Sequence, residues 1–298
     1  MKTKTLKHLN TKLVGILRTK LGTTKENTIR AIQTAFDTGV ELIEITSNSE
    51  HWQDVVKECV KKTFNIGVGS IKNLTLAKEA ISLSAKFLVS PGFFEDVVIL
   101  AKENNIPILP GIYLEEELEL AKEYKVKDVK FFPASVTTHE DFFKAIKEPF
   151  RDEFNELEDV GFKIISYDST KEYKNHIFIK SPTQFYKLYS SLSSQLVAHS
   201  SNKEIIIKLP DGELGFDRLK DFANKLQNYN IHTYAVGGVN DKNMKEILTK
   251  YDAYGVCPGS GMFNADAIFN GDFERVKSDV KKYVEILKET LQFHLDRA

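Results

Sequence analysis

Short apolar segments that alternate with amphipathic helices constrain this chain more than any other feature. Leu13-Val-Gly-Ile-Leu17 reads as a strand ending at Arg18, and the helix after it has Thr23 and Glu26 at capping-box spacing and Gly39 at its stop. Glu41-Leu-Ile-Glu-Ile-Thr46 is a second strand. It is followed by a helix with Trp52, Val55, Val56, Cys59 and Val60 on one stripe. Ile66-Gly-Val-Gly-Ser70, Phe87-Leu-Val-Ser90 and Ile108-Leu-Pro-Gly-Ile112 continue the series, each leading into a helix. Asp128-Val-Lys-Phe-Phe-Pro-Ala134 is then the sixth strand. Thr233 to Gly238 and Tyr254 to Pro258 are the seventh and eighth; Asp241 is placed as the cap of the helix between them, and a long helix from Phe273 closes the chain. Strands separated by helices pair in parallel, and eight such units close into a barrel.

Residues 151 to 230 exceed what one crossover needs. Phe162 to Ile165, His176 to Ile179 and Glu204 to Ile207 read as strands, Ser181-Pro182 opens a helix, and Gly215 to Leu226 reads as another. So many β-branched and aromatic residues imply a packed unit and not a linker. The expected architecture is an α/β, parallel (β/α)8 TIM barrel built from residues 1–150 and 231–298. A mixed α+β subdomain, residues 151–230, is inserted before strand seven. If Ala145 to Phe150 ends the sixth helix, the insert lies at the N-terminal end of the strands, which is the favoured reading. If Phe216 to Leu226 is the sixth helix, the insert covers the opposite end as a lid.

Composition excludes several function classes. Lys plus Arg is 41 against 42 Asp plus Glu, a net charge of −1, so there is no basic surplus for nucleic acid or an anionic membrane. The apolar run from Leu13 to Leu17 is too short for a membrane span or a signal peptide. Cys59 and Cys257 are isolated, which fits a reducing compartment, and the expected location is the cytoplasm. The seven histidines lack metal-binding spacing, so no metal is expected.

Alternation along a strand sends Val129 and Phe131 one way and Lys130 and Phe132 the other. In the second strand Leu42, Glu44 and Thr46 share a face. An acid there interrupts the apolar run of a parallel strand. If Glu44 and Lys130 both face inward, an amine and a carboxylate meet across the lumen, a pairing suited to carbonyl chemistry. The alternative is a buried ion pair that organises the core. Gly237-Gly238 and Gly259-Ser260-Gly261 follow strands seven and eight, the usual phosphate position of such barrels, with Arg18 able to join from strand one. Lys208, in Ile205-Ile-Ile-Lys-Leu-Pro210, is a rival to Lys130 that lacks the Phe-Phe-Pro-Ala sequence.

Val14-Gly-Ile-Leu-Arg18, Ile43-Glu-Ile-Thr46, Gly67-Val-Gly-Ser70, Val89-Ser-Pro-Gly92, Leu109-Pro-Gly-Ile112, Val129-Lys-Phe-Phe-Pro-Ala134 and Val236-Gly-Gly-Val239 occur in this order. The series resembles the 2-keto-3-deoxy-6-phosphogluconate aldolases, class I pyruvate aldolases that are commonly trimeric. The resemblance covers about residues 10–150 and 231–290. It implies Lys130 as the Schiff-base lysine and Glu44 as general acid/base. Ser70 and Pro91 would line the keto-acid pocket, and Phe132 would pack near the imine. Gly237, Gly238, Gly259 and Ser260 would hold phosphate. It further implies a homotrimer, no cofactor, and a phosphorylated keto sugar acid and pyruvate as ligands. Asn48 stands where the gluconate enzymes usually carry arginine, and Val236 where they carry threonine, both substrate contacts. Asn48-Ser49 with Trp52, and Ala235-Val-Gly-Gly238, instead resemble the 6-phosphogalactonate branch, while the lysine strand and Ser90-Pro-Gly92 resemble the gluconate branch, so a substrate of either series is implied. A 4-hydroxy-2-oxoglutarate aldolase and a catalytically inactive binding barrel are the alternatives.

Overall fold

The computed structural model describes residues 7–173, 176–195 and 204–295. Its first half runs β1 (Val14–Leu17), α1 (Lys25–Thr38), β2 (Leu42–Thr46), α2 (Trp52–Lys61), β3 (Ile66–Gly69), α3 (Leu74–Ser82), β4 (Leu88–Val89) and α4 (Glu95–Asn104). Then come β5 (Ile108–Leu109), β6 (Gly111–Ile112), α5 (Glu115–Glu123) and β7 (Asp128–Phe131). The expected fifth strand is therefore split at Pro110, which has no N–H to give the ladder, and the lysine strand becomes β7. After α6 (His139–Lys147), α7 (Arg151–Asp159), β8 (Lys163–Ser166), β9 (Ile177–Ile179), α8 (Pro182–Gln195), β10 (Glu204–Ile207) and α9 (Gly215–Gln227), the chain returns. It ends with β11 (His232–Val236), α10 (Met244–Thr249), β12 (Gly255–Cys257), α11 (Ala265–Asn270) and α12 (Phe273–Leu295).

All pairings among the described strands are parallel. One sheet has the order β1-β2-β3-β4-β5 and a second β12-β11-β7-β6. They adjoin at Pro110, whose carbonyl accepts from the Lys130 N–H at 2.9 Å. On the other side Leu13 bridges Val256, and the Ile16 N–H donates to Pro258 O at 2.9 Å. Strand alternation sorts the apolar residues into two cores. Val14, Phe87, Val89, Leu109, Phe132, Tyr234, Val236 and Cys257 pack on the inner side. Ile43, Ile45, Val129, Phe131 and Ala235 belong to the larger cluster under the helices. Lys130 pairs in register with Tyr234 on β11 and Gly111 on β6.

Two helix starts differ from expectation. Thr24, one residue later than Thr23, caps α1 by accepting from the Asn27 N–H at 3.2 Å, while Thr23 Oγ1 donates to Lys20 O. Asp241 does not cap α10. Asn243 precedes that helix, and the Asn240 side chain takes the Lys242 and Asn243 N–H groups. Ser181 does cap α8, accepting from Gln184 N–H at 3.2 Å.

Residues from α6 to β10 form a third, separate sheet of order β8-β10-β9 with α6 and α7 packed on it. The favoured reading puts the insert at the N-terminal end of the strands, whereas its first residue, Arg151, lies at the cavity of Lys130. Ala145, Glu148, Pro149 and Arg151 line the cavity that contains Lys130, beyond the C-terminal strand ends. α9, and not α6, covers β11 and β7: Phe222 meets Phe131 edge-on at 5.2 Å, and Arg218 Nε donates to Tyr113 O at 3.0 Å. Both helices are amphipathic, so periodicity alone does not reveal which one packs on the main sheets. Lys208 follows β10 in the separate sheet, pairs with Asp211 at 3.5 Å and does not line the cavity. Among the described residues no helix is long and apolar enough to cross a membrane.

Candidate active site

Glu44 on β2 and Lys130 on β7 both turn inward and line one cavity of about 470 Å³. Lys130 is 6% exposed and Glu44 1%. Space for the acid comes from Gly69 on β3: a Cβ there would lie 1.5 Å from Glu44 Oε1. Any side chain at 69 would push the carboxylate aside. Lys130 Nζ sits over the Phe132 ring, 4.7 Å from its centroid. The two charged groups form no direct ion pair, and Glu44 Oε2 is buried without a hydrogen-bond partner. Burial lowers the Lys130 pKa, opposed by the Glu44 charge. Burial raises the Glu44 pKa, opposed by Lys130 and Arg18. Desolvation comes first for both, so each group is pushed toward its neutral form. A neutral amine attacks carbonyl carbon, and a neutral carboxyl beside it gives up a proton.

The rest of the cavity is polar and cationic on one side. Arg18 reaches Thr46 Oγ1 at 3.4 Å and Ser70 Oγ at 3.5 Å, and it pairs with Glu148. Lys20 and Arg151 also line it. Ser70 holds φ +56°, a left-handed backbone that costs a β-carbon residue energy and turns its hydroxyl toward Arg18. The opposite rim is Val236, Gly237, Gly238, Gly259 and Ser260. Gly238 has φ +73°, and a Cβ would meet Ser135 Oγ at 1.7 Å. Gly237, with φ +92°, and Gly238 leave this rim without side chains, the kind of bare backbone turn that oxyanion sites use.

Of the twelve residues singled out in the sequence, ten line this cavity: Lys130, Glu44, Arg18, Ser70, Phe132, Val236, Gly237, Gly238, Gly259 and Ser260. Asn48 and Pro91 do not. Asn48 lies past the end of β2 with Oδ1 buried and unpartnered, and the Pro91 carbonyl is pressed against Gly111. Sequence reasoning missed Lys20, Glu148, Arg151 and Cys257. Cys257 was within reach, since it shares the inward parity of Gly255 on the last strand. Burial raises its thiol pKa well above the ordinary value, so it is a poor nucleophile. At the other end of the strands, His8 and His232 place Nδ1 3.1 and 3.2 Å from one oxygen of buried Asp128. The three offer donor atoms within 4.8 Å of one another, a grouping that spacing in the sequence does not reveal. Their imidazole and carboxylate donors suit a divalent transition metal.

A family model described as "KDPG and KHG aldolase" matches residues 6–155. The KHG/KDPG aldolase of Escherichia coli strain K12 is 33% identical over 114 residues, 38% of this chain and 54% of that one. The 2-dehydro-3-deoxy-phosphogluconate aldolase of Dickeya dadantii is 28% identical over 145 residues, 48% and 65%. The chain thus spans about half the length of the first of these relatives. A solved structure titled native KDPGal superposes with a TM-score of 0.62 at 16% identity, covering 96% of this chain and 99% of that one. The Legionella pneumophila KDPG aldolase, with pyruvate captured as a covalent carbinolamine, gives a TM-score of 0.55 at 15% identity, covering 91% and 92%. At those identities the structures speak to the parallel α/β fold. With the family model spanning half its length, the chain belongs to the KDPG and KHG aldolase family.

Proposed function

We propose that this protein is a class I aldolase that cleaves a 2-keto-3-deoxy-6-phospho sugar acid to pyruvate and glyceraldehyde 3-phosphate. The observation that carries the reading is the unpaired, buried Lys130 sharing a cavity with Glu44. In this reading Lys130 Nζ adds to C2 of the keto acid. Glu44, as a carboxylic acid, protonates the carbinolamine oxygen, and water leaves to give the iminium. The resulting carboxylate, by way of a water molecule, takes the C4 hydroxyl proton. The C3–C4 bond breaks, and its electrons move into the iminium to give an enamine. Glyceraldehyde 3-phosphate departs, C3 is protonated, and hydrolysis returns the free lysine and pyruvate.

The bare backbone at Gly237, Gly238, Gly259 and Ser260 is the proposed phosphate seat; Arg18, expected beside the phosphate, is assigned with Ser70 to the ligand carboxylate because its guanidinium reaches Ser70 Oγ at 3.5 Å. Phe132 borders the imine. Asn48 and Pro91 are assigned to shaping the loops behind this pocket. Val236 offers no hydroxyl to the sugar chain, which supports a galactonate-type substrate, since a site discriminates isomers by which hydroxyl finds a partner. The contacts between β1 and β12 and the break at Pro110 support reading the strands as one closed (β/α)8 barrel. The segment between β7 and α9 is then an insertion over its mouth, shifted from the expected 151–230 because it takes in α6 and leaves out α9.

Borohydride reduction in the presence of pyruvate should add one pyruvate-derived mass to Lys130 and none to Lys130→Met. Labelling at any other lysine, or none in the wild type, removes the aldolase reading.

A further inference from the structure

Among the described residues Glu148 is the one acid at the cavity wall besides Glu44, against the basic side chains of Arg18, Lys20, Lys130 and Arg151. Its carboxylate pairs with the Arg18 guanidinium. The other Arg18 contacts, to Thr46 and Ser70, are long at 3.4 and 3.5 Å, so Glu148 is its firmest partner. Arg18 is 22% exposed and Glu148 58%, so the pair sits at the cavity's open edge. An exposed pair of this kind is weakly held.

The backbone beside Glu148 is anchored. The Pro149 carbonyl accepts from Lys72 Nζ at 3.3 Å, and Lys72 pairs with Glu153 at 2.5 Å, both side chains buried. Phe150 is fully buried against Phe185 and Tyr186. The chain at 149–153 is thus a fixed post, and the Glu148 side chain can leave Arg18 by rotation about its own bonds without displacing it.

We propose that Glu148 is an internal competitor: it occupies Arg18 when the cavity is empty and is displaced by the carboxylate of the incoming ligand. The segment past β7 thereby sets the affinity of a site built from β1, β2 and β7. The inference takes from the aldolase reading only that the ligand is a small 2-oxo or 2-hydroxy acid. Both groups are planar carboxylates that fit the guanidinium fork, but the ligand's is held inside the cavity, where water screens it less than it screens Glu148 at the exposed edge.

The test uses lactate, which carries the carboxylate but cannot form an imine, with binding measured by calorimetry on the full chain. Glu148→Gln should bind lactate about two- to fivefold more tightly than the wild type, the range expected for release from an exposed ion pair. In an Arg18→Met background the same substitution should give no gain. Equal or weaker lactate binding in Glu148→Gln overturns the proposal, since Glu148 then only holds Arg18 in place. A gain that persists without Arg18 also overturns it, because the effect is then general loss of negative charge. Tighter binding in Glu148→Gln together with no borohydride adduct on wild-type Lys130 would sink the aldolase reading and leave the competitor standing.

Discussion

Two buried lysines face two buried glutamates in this molecule, and they are arranged oppositely. Lys72 and Glu153 touch at 2.5 Å, joining the loop after β3 to α7. Lys130 and Glu44 are as deeply buried but make no ion pair with each other. Contact makes the first couple a clamp, because each charge repays part of the other's desolvation. Separation leaves the second couple with the desolvation and little repayment, which pushes the amine and the acid toward neutrality. Whether a buried lysine acts as a fastener or is left pushed toward a neutral amine thus turns on whether it touches its acid.

The sharpest way to break this comparison is to remove each lysine in turn. Lys130→Met should lower kcat/KM by about 10³-fold or more while raising the melting temperature at neutral pH. Lys72→Met should do the reverse in stability, with a loss of about 3–5 kcal/mol from leaving Glu153 buried and alone. Denaturant titration of both variants checks this, and Lys72→Met with Glu153→Met should recover most of the loss. Equal stability changes at the two sites would dissolve the distinction.

A smaller effect follows from moving the acid without touching either charge. Gly69→Ala should displace Glu44 and lower kcat by about 10²-fold, the scale of a 1 Å misplacement. Its circular dichroism should stay that of the wild type. Steady-state kinetics with unchanged kcat would mean that the carboxylate position does not matter.

The smallest signal is in pH. The folded pKa of Lys130 lies below its ordinary 10.5, so the unfolded chain holds more protons between the two values. Stability relative to Lys130→Met should therefore rise as pH rises through that window. Glu44 is raised above 4.5, so the folded chain holds more protons there. Its contribution is present below 4.5 and is lost as pH rises through the raised value. Glu44→Gln should accordingly gain on the wild type above that window. Melting curves across pH test both signs. A flat difference for Lys130→Met would mean that its amine is as easily charged folded as unfolded.

Much of the main parallel framework could be read before any coordinates, because strand parity and helix spacing are local properties. Alternation set Lys130 apart from Val129 and Phe131, and Glu44 apart from Ile43 and Ile45, but left open which face is inward; both line the cavity. Arg18 and the two glycine turns follow from standing just after strand ends. What escaped was set by contacts distant in sequence. Glu148 and Arg151 lie on helix ends whose spacing says nothing about Arg18. The choice between α6 and α9 as outer helix depends on Phe222 finding Phe131 and Arg218 finding Tyr113. Pro110 splitting the fifth strand was visible as a residue, but its effect on the ladder needed the neighbouring Lys130 N–H.

The pairing of β7 with β11 spans about 100 residues where an ordinary crossover spans about 30. Closing the longer span costs only about 1 kcal/mol more by chain entropy, so equilibrium hardly registers it. Time does: distant pairings form late in folding. The edge of β7 that carries Lys130 should stay open until the three-stranded sheet has collapsed and brought α9 home. During synthesis that leaves one edge of an apolar strand unpaired for longer than its neighbours.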